Sequence, residues 1–394
     1  MSHKELPLAG LKVIEFTHMV MGPSIGVILA DMGAEVTKIE PIEGDNTRRL
    51  GGSGAGYFAM YNRNKKSLAI DLKSETGRSA VHTLLSTADV MIENFRPGAM
   101  EKLGFGYDDL SKINPRLIYC SGKGFLSGPY ENRTALDEVA QMMGGLAYMT
   151  GLPDRPMRAG ASVIDVTGAM FGVIGILAAL EQRHRSGCGQ QVTTSLYETT
   201  VFLVGQHMAQ FASTGKAAPP MSIRQSAWAV YDVFETQDGE RVFAAVVSDT
   251  QWRKFCDAFE LTTLGNDESL ATNNARVAQR ERTLPIIREC FLKMDKASLM
   301  AKLEATGLPF APVAKPEQLF DDPHLNAQGG LIGLTLPNGQ QTKLPALPIE
   351  MSGRRFGLRH DLPSIGSGGY ETLLAGGLSE SEVQELVNQG VLHA

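Results

Sequence analysis

The segment LKVIEFTHMVMGPSIGVILADMGAEVTKIE, residues 11–40, gives the clearest indication of the fold of this 394-residue chain. Its first six residues, 11–16, are apolar and β-rich and predict a strand. The GPS sequence at residues 22–24 interrupts that pattern and begins a helix, which Gly33 ends. Residues 35–40 predict the next strand. Because the connection is short, the two strands are expected to be parallel, with a right-handed crossover.

Three further β-rich runs follow, at residues 67–71, 90–94 and 117–122. Helical stretches near residues 75–87 and 134–149 separate them. Alternation of this kind predicts an α/β fold, with an open parallel sheet that carries helices on both faces. We therefore expect a large Rossmann-like domain.

The rest of the chain predicts a smaller α+β domain and a return to the large one. Residues 229–235 and 241–247 predict a hairpin with an Asp-Gly turn at 238–239. The other predicted helices lie near 166–183, 192–213, 250–259, 276–293, 296–306 and 379–389. The expected domain limits are 1–213 for the first part of the large domain, 214–228 for a linker, 229–306 for the small domain, 307–330 for a second linker and 331–394 for the return segment.

Composition and charge exclude several classes of protein. A formal net charge of −6 gives no broad basic surplus to replace the counterions of nucleic acids. The four cysteines are scattered, without a CxxC pair or a His cluster at metal-ligand spacing. The N-terminus lacks a signal-peptide pattern, and the longest uncharged apolar run, 166–180, is shorter than a membrane span. We expect a cytoplasmic protein without a bound metal, a nucleic-acid partner or a membrane partner.

Asp165 is the first candidate for chemistry. It lies where a β-like run meets a strongly apolar helix that contains Gly168, Gly172 and Gly175. One interpretation is structural, because an Asp at a helix start commonly caps the helix by accepting backbone N–H bonds. The other is a rigidly held nucleophile, with the glycines allowing a large ligand to approach the backbone. Position alone leaves both open.

A second candidate region is ENFRPGAMEKLG at residues 93–104. Asn94, Arg96 and Lys102 follow a predicted strand end, where open α/β sheets bind ligands, and Phe95 could stack on a purine. A nucleotide-phosphate site is one interpretation, and solvated loop cations are the other. Further positive charge comes from Lys65, Lys66 and Lys73.

The segment SGKGFLSGPY, residues 121–130, also follows a predicted strand. Its backbone N–H groups could hold an oxyanion, or the segment could be a flexible loop. His18 and Arg48 lie near predicted strand ends, where they could meet a substrate carboxylate or make structural hydrogen bonds. The chain has no GxGxxG, GxxxxGK[ST] or GxSxG motif, so dinucleotide sites, P-loops and the nucleophile elbow of serine hydrolases are unsupported.

Taken together and in this order, eight segments resemble the class III CoA-transferases, the family of formyl-CoA transferase and carnitine CoA-transferase. They cover nearly the whole chain. The segments are PLAGLKVIEF (7–16), GPSIGVILADMGAEVTKIEP (22–41), NRNKKSLAIDLKS (62–74), ADVMIENFRPGAMEKLG (88–104), INPRLIYCSGKGF (113–125), the segment around Asp165, SGCGQQVTTSLYE (186–198) and GLPFAPV (307–313).

The resemblance implies an interlocked homodimer in which each large domain is closed by the C-terminal part of the chain. It implies that Asp165 is the covalent nucleophile and that CoA is a substrate, with no permanently bound cofactor. The residues that the resemblance assigns to CoA are His18, Met19, Val20, Met21, Ile70, Lys73, Asn94, Phe95, Arg96 and Lys102. Those that it places beside the reacting thioester are Gly122, Lys123, Gly124 and Phe125.

The chain departs from formyl-CoA transferases at three places. Val20 stands where those enzymes have Gln, and Leu136 stands where they have Tyr, before the acidic residue matched by Asp137. Their glycine-rich loop before the hairpin has no counterpart around residues 222–228. These differences make formate and oxalate poor candidates for the acceptor acid but leave acyl transfer intact.

The expected function is transfer of CoA from an acyl-CoA, with succinyl-CoA as the favoured donor, to a small carboxylic acid. A C4–C6 dicarboxylate such as itaconate or mesaconate is favoured because Arg48, Arg224 and His18 are candidates to bind a carboxylate. One alternative is an α-methylacyl-CoA racemase, whose family members place His where this chain has Leu136. Another alternative is a catalytically silent CoA-binding protein.

Overall fold

The computed structural model describes residues 6–224 and 226–393, which divide into two compact units. The first contains residues 6–223 and 323–393, and the second spans Arg224–Asp322. The domain limits expected at residues 1 and 394, and Gln225 within the expected first linker, lie outside the described residues. The other expected boundaries stay a prediction.

The described strands form one large sheet and three small ones. The large sheet has the order β3-β2-β1-β4-β5-β6, and every pair in it is parallel. The strands are β1 (Lys12–Phe16), β2 (Glu35–Glu40), β3 (Lys65–Ala69), β4 (Val90–Glu93), β5 (Ile118–Lys123), β6 (Gln191–Ser195), β7 (Val230–Glu235), β8 (Arg241–Val246), β9 (Phe310–Pro312), β10 (Leu331–Thr335), β11 (Gln341–Pro345), β12 (Glu350–Met351) and β13 (Arg354–Arg355).

The described helices alternate with the strands of the large sheet and then dominate the second unit, with short 3₁₀ turns between some of them. They are α1 (Met21–Asp31), α2 (Tyr57–Tyr61), α3 (Glu75–Ser86), α4 (Ala99–Lys102), α5 (Tyr107–Ile113), α6 (Asp137–Met143), α7 (Leu146–Thr150), α8 (Val163–Ser186), α9 (Leu196–Thr214), α10 (Asp249–Ala258), α11 (Thr262–Gly265), α12 (Asn273–Ala278), α13 (Arg280–Leu292), α14 (Lys296–Thr306), α15 (Pro323–Ala327), α16 (Gly369–Ala375) and α17 (Glu380–Asn388).

The predicted open parallel sheet with flanking helices is confirmed, and three predicted helices differ from those observed. The helix expected over 276–293 is divided at Gln279 into α12 and α13. The helix expected over 192–213 begins only at Leu196, because residues 191–195 (QVTTS) pair with β5 as the edge strand β6. The single helix expected over 134–149 is two helices, α6 and α7. Gly145 separates them with a φ of 84°, a left-handed conformation that favours glycine.

Two apolar layers cover the large sheet. Alternate residues of a strand point to opposite faces, so Val13 of β1 belongs to one layer and Ile14 to the other. The Val13 layer contains α1 and α8. The Ile14 layer contains α3 together with α16 and α17, which contribute Leu373 and Val383. The C-terminal segment therefore completes the core of the first unit.

The long helix α8 packs tightly against its neighbours through its glycines. A Cβ atom on Gly168 would lie 2.9 Å from Met21 Cε, and one on Gly172 would lie 2.9 Å from Ile25 Cδ1. By length and composition α8 is apolar enough to cross a membrane, and 44% of its most hydrophobic window is buried inside the protein. Gly168 and Gly172 therefore allow the close approach of α1, and Gly175 packs against Val192 of β6, so the expectation that these glycines admit a ligand is not supported.

Charged side chains are buried between the strands and α1. Lys65 of β3 donates to Glu15 of β1 at 2.8 and 3.1 Å, and both side chains are fully buried. Lys38 of β2 pairs with Asp45 at 3.0 Å. Burial lowers the pKa of Lys65 to about 8. Lys38 also donates to the Thr17 carbonyl, so it joins the loop after β1 to the loop after β2, which carries Asp45.

The second unit contains the antiparallel sheet β7-β8-β9. Its hairpin is the predicted one, with Gly239 in the turn at a φ of 74°. β9 lies inside the range 307–330 that was expected to be a linker. Helices α10, α13 and α14 share one apolar core with the hairpin.

Candidate active site

The strand order of the large sheet reverses between β1 and β4, and a cleft of about 820 Å³ opens at the carboxyl ends of these strands. Open α/β sheets bind ligands at this kind of switch point, and the volume suits an organic substrate. The cleft is lined by residues of the first unit, namely His18, Met19, Val20, Met21, Tyr57, Asn94, Phe95, Arg96, Pro97, Ala99, Gly122, Lys123, Gly124, Glu131, Asn132, Arg133, Thr134, Ala135, Leu136, Asp137, Glu138, Arg158, Ser162, Asp165 and Leu196.

The loops after β1 and β4 are joined by a reciprocal pair of hydrogen bonds. The His18 backbone N–H donates to Asn94 Oδ1 at 3.0 Å, and Asn94 Nδ2 donates to the His18 carbonyl at 3.0 Å. The His18 ring stacks on Phe95, with 5.1 Å between ring centroids. Burial lowers the pKa of His18. Because the imidazole favours its neutral form, it supplies an aromatic surface rather than a cation.

Lys123 holds the loop after β4 to the end of β5. Its Nζ lies 2.7 Å from Glu93 Oε1 and donates to the Phe95 carbonyl at 2.9 Å. Glu93 Oε2 also accepts the Phe95 backbone N–H at 3.0 Å. Lys123 is thus engaged by a buried carboxylate, and its main effect is to fix the position of Phe95.

Asp165 is the third residue of α8, and the capping role considered for it belongs to another residue. Ser162 is the N-cap position and makes no side-chain capping bond. Instead Asp137 Oδ2, from α6, accepts the backbone N–H groups of Ile164 at 2.9 Å and Asp165 at 3.1 Å. The Asp165 carboxylate has no hydrogen-bond partner among the residues that the structure describes, and it faces the cleft.

The electrostatic surroundings of Asp165 favour its neutral form. Burial, followed by the negative charge of Asp137, raises the pKa of Asp165 to about 7, and the positive charge of Arg158 opposes that rise. The pKa of Tyr61 is raised by burial and by the charge of Asp165. A carboxyl with a pKa near neutrality, in a cleft and without a bonding partner, is a candidate for covalent or proton-transfer chemistry.

A network around Asp137 fixes the segment that leads into α8. Gln141 Nε2 donates to Asp137 Oδ1, and Gln141 Oε1 accepts the Ala159 backbone N–H at 2.8 Å. Arg158 lies 3.6 Å from Asp137 Oδ1 and 3.2 Å from Glu138 Oε1. Sequence reasoning did not single out Gln141 or Arg158, since neither lies in a motif, and it used Asp137 only as a point of comparison.

The structure brings many of the predicted site residues into the cleft and leaves others outside its lining. Those in the lining are Asp165, His18, Met19, Val20, Met21, Asn94, Phe95, Arg96, Gly122, Lys123 and Gly124. Those outside it are Phe125, Ile70, Lys73, Lys102, Arg48 and Arg224.

Packing explains why the two apolar residues lie outside. Phe125 is buried against Tyr130 and Tyr197, with ring centroids 5.7 and 5.4 Å away. Ile70 is buried and forms a β-bridge with Leu392. The roles that the resemblance assigns to Phe125 and Ile70 stay predictions.

The four cations outside the cleft lining have different surroundings. Lys73 and Lys102 are exposed. Arg48 donates to Glu40 at 2.6 and 2.9 Å and to the Pro363 carbonyl at 2.8 Å, so its guanidinium is engaged inside the protein. The prediction that Arg48 binds a substrate carboxylate is therefore not supported. Arg224 belongs to the second unit and lies 5.8 Å from the Tyr231 ring centroid.

Comparison with known proteins gives consistent matches along nearly the whole chain. The family described as CoA-transferase family III matches residues 8–368. A succinate–glutarate CoA-transferase of Agrobacterium fabrum is 36% identical over 92% of this chain and 94% of its own length. A succinyl-CoA:mesaconate CoA-transferase of Haloarcula hispanica is 35% identical over 88% of this chain and 90% of its own.

A solved structure agrees with these matches. The crystal structure of a CAIB/BAIF family protein from Brucella suis is 34% identical and superposes with a TM-score of 0.85, covering 94% of this chain and 99% of that one. The likeness thus extends over nearly the whole chain.

Proposed function

Because the chain belongs to CoA-transferase family III, we propose that it transfers CoA from succinyl-CoA to a small dicarboxylic acid. The Agrobacterium relative is named for succinate and glutarate, and the Haloarcula relative for succinyl-CoA and mesaconate. Both names favour a C4–C6 dicarboxylate, in agreement with the expectation from the sequence. Itaconate, mesaconate and glutarate are the acceptors to test first.

The observation that carries the proposal is the Asp165 carboxyl, which faces the cleft and accepts no hydrogen bond from the described residues, 6–224 and 226–393. In the first half of the reaction its carboxylate attacks the thioester carbonyl of succinyl-CoA. The C–S bond breaks, which gives a mixed anhydride and CoA thiolate. The thiolate then attacks the Asp165 carbonyl carbon, releases succinate and leaves an aspartyl-CoA thioester.

The second half of the reaction reverses this sequence with the acceptor acid. The acceptor carboxylate attacks the Asp165 thioester and expels CoA thiolate, which gives a second mixed anhydride. The thiolate attacks the acceptor carbonyl, forms the new acyl-CoA and restores the Asp165 carboxylate. Covalent relay suits this reaction because a free carboxylate is a poor electrophile for direct attack by a thiolate.

Each attack creates an oxyanion that needs hydrogen-bond donors. At the start of α8, the backbone N–H groups of Ile164 and Asp165 already donate hydrogen bonds to Asp137. They are therefore poor candidates to stabilise the oxyanion. Backbone N–H groups of the segment from Gly122 to Gly124, which lines the cleft, are the remaining candidates from the sequence. We assign CoA to the side of the cleft formed by His18, Asn94, Phe95 and Arg96.

A racemase is the nearest alternative activity, because its fold and CoA site would be similar. Racemisation needs an acid and a base on opposite sides of the α-carbon. Leu136, which is 63% exposed in the cleft, occupies the position where the sequence comparison expects a catalytic His in racemases. Transfer therefore remains the better proposal. The other alternative, a catalytically silent CoA-binding protein, predicts that no new CoA thioester forms in the exchange assay.

The deciding experiment is incubation of the protein with succinyl-CoA and a panel of acids, with mass spectrometry to detect new CoA thioesters. Asp165→Asn is expected to lower the exchange rate by at least about 10³-fold, since it removes the nucleophile. Asp154→Asn, in the loop that precedes α8 and outside the cleft lining, is the matched control. Hydroxylamine is expected to convert Asp165 to its hydroxamate during turnover.

Two outcomes would overturn the proposal. One is full exchange activity in Asp165→Asn protein that is verified to be free of deamidation. The other is epimerisation of a chiral 2-methylacyl-CoA in the absence of any transfer. Cytoplasmic location and the absence of a separate cofactor stay predictions from the sequence.

A further inference from the structure

The cations that line the cleft are not equivalent. Lys123 is paired with Glu93. Arg96 lies on the loop after β4, on the side assigned to CoA, and Arg133 lies over the Tyr130 ring at 4.9 Å. Arg158 is the cation whose charge acts on Asp165 in the described part of the chain. It is therefore the cation at the reacting end of the cleft.

The backbone on both sides of Arg158 is anchored. The Met157 N–H donates to the Ala147 carbonyl at 3.1 Å, and the Ala159 N–H donates to Gln141 Oε1 at 2.8 Å. Gln141 also donates to Asp137, which caps the helix carrying Asp165. One network thus sets the position of the Arg158 main chain relative to Asp165.

Only some of the N–H groups of the Arg158 guanidinium donate hydrogen bonds to described residues. Its Nε donates to the Ala159 carbonyl at 3.1 Å and its Nη1 to Glu138 Oε1 at 3.2 Å. Glu138 is 58% exposed, and an exposed ion pair contributes little free energy. The Nη2 of Arg158 lies 3.6 Å from Asp137 Oδ1, which is within ion-pair distance but beyond hydrogen-bond distance, so this group makes no hydrogen bond to any residue in 6–224 or 226–393. A ligand carboxylate could therefore take the place of Glu138 at small cost, and the planar guanidinium can bind it through two N–H groups.

We propose that Arg158 binds the second carboxylate of a dicarboxylic substrate, the one that is not acylated. This inference rests on the proposed function. A carboxylate acceptor is repelled by Asp137 and Glu138, and Arg158 supplies the compensating charge. A short diacid can place one carboxylate at Asp165 and the other at Arg158, since both residues line one cleft. Arg158 would then be a specificity residue that selects dicarboxylates over monocarboxylates.

The test compares glutarate with pentanoate, an acceptor of the same chain length with one carboxylate, at a saturating concentration of succinyl-CoA. In a covalent relay, kcat/KM for the acceptor reports the second half-reaction alone. Arg158→Gln is expected to lower the ratio of kcat/KM for glutarate to that for pentanoate about 10- to 100-fold, the effect of losing a charge-assisted hydrogen bond. Arg158→Lys is expected to restore part of the ratio. Arg155→Gln, in the same loop but outside the cleft lining, is expected to keep the wild-type ratio.

The ratio of kcat/KM for glutarate to that for pentanoate distinguishes two roles of Arg158. One is selection of the acceptor acid, and the other is the effect of its charge on the pKa of Asp165. If Arg158 only tunes Asp165, Arg158→Gln lowers kcat/KM for both acceptors equally and the ratio stays constant, which overturns the inference. If the wild-type protein transfers CoA to neither acid nor to any other, the proposed function itself has failed. Circular dichroism of each variant identifies loss of folding, and Arg158→Lys keeps the inference testable if Arg158→Gln does not fold.

Discussion

At the scale of single residues, the protonation state of Asp165 controls its reactivity as a nucleophile. Only the carboxylate attacks a thioester, and burial and Asp137 raise the pKa of Asp165 to about 7. We expect kcat/KM for succinyl-CoA to rise about tenfold per pH unit below pH 7 and to level off above it. Initial rates between pH 5.5 and 8.5 measure this, and a flat profile over that range would contradict the assignment.

Asp137→Asn offers a control for the same pH profile. The amide oxygen can still accept the N–H groups of Ile164 and Asp165, while the negative charge that raises the pKa of Asp165 is gone. The acid limb of the profile is therefore expected to move to lower pH in this variant. A limb that stays in place would show that Asp165 is not the group being titrated.

At the scale of elements, the position of the cleft depends on how closely α1 approaches the sheet. The backbone of α1 at Gly26 touches the Glu15 carboxylate, which is paired with Lys65 in the core. A Cβ atom at residue 26 would overlap Glu15 Oε2 and lie 2.9 Å from Lys65 Nζ. The buried pair and the glycine therefore depend on each other.

Gly26→Ala is expected to destabilise the protein by about 3–5 kcal/mol, the typical cost of disrupting a buried ion pair. Gly333→Ala in β10, where the added Cβ meets nothing within 4 Å, is the matched control and is expected to stabilise the strand by about 0.5–1 kcal/mol. Urea unfolding followed by circular dichroism gives both values. Equal stability of the two variants would show that the Glu15–Lys65 pair adapts to the extra methyl group.

At the scale of the whole molecule, α8 and α9 leave large apolar side chains exposed in a single chain. Phe202 is 71% exposed, and Ile174, Met208 and Phe211 are each more than half exposed. Monomeric proteins rarely expose apolar patches of this kind. We propose that a second copy of the chain covers this face, in line with the dimer that the sequence resemblance implies.

Sedimentation velocity is expected to show a dimer for the wild-type protein. Replacing Ile174 and Phe202 together by Asp buries two charges in such an interface and is expected to shift the protein to monomers. Met351→Asp, at an exposed apolar residue of β12 rather than of α8 or α9, is the control and should leave the dimer intact. A wild-type monomer at micromolar concentration would refute the proposal.

Local signals were sufficient for several elements. The strand Glu35–Glu40 and the helix α14 (Lys296–Thr306) have the bounds that the sequence predicts. The ends of α14 are marked by neighbouring residues alone, since Asp295 caps its start and Gly307 ends it in a left-handed conformation. The edge strand β6 is a short run directly before α9, so local signals do not separate it from the helix. Its extended conformation depends on its pairing with β5.

The parallel α/β architecture and the loops at the strand ends follow from the sequence pattern, and the resemblance to class III CoA-transferases pointed to Asp165 as the nucleophile. The contacts of each side chain depend on the tertiary structure. The helix cap comes from Asp137, 28 positions before Asp165, and the Arg48 guanidinium is bound by a carbonyl 315 positions away. Secondary structure follows from the spacing of neighbouring residues, whereas the partner of a buried charge depends on which distant segments the fold brings together.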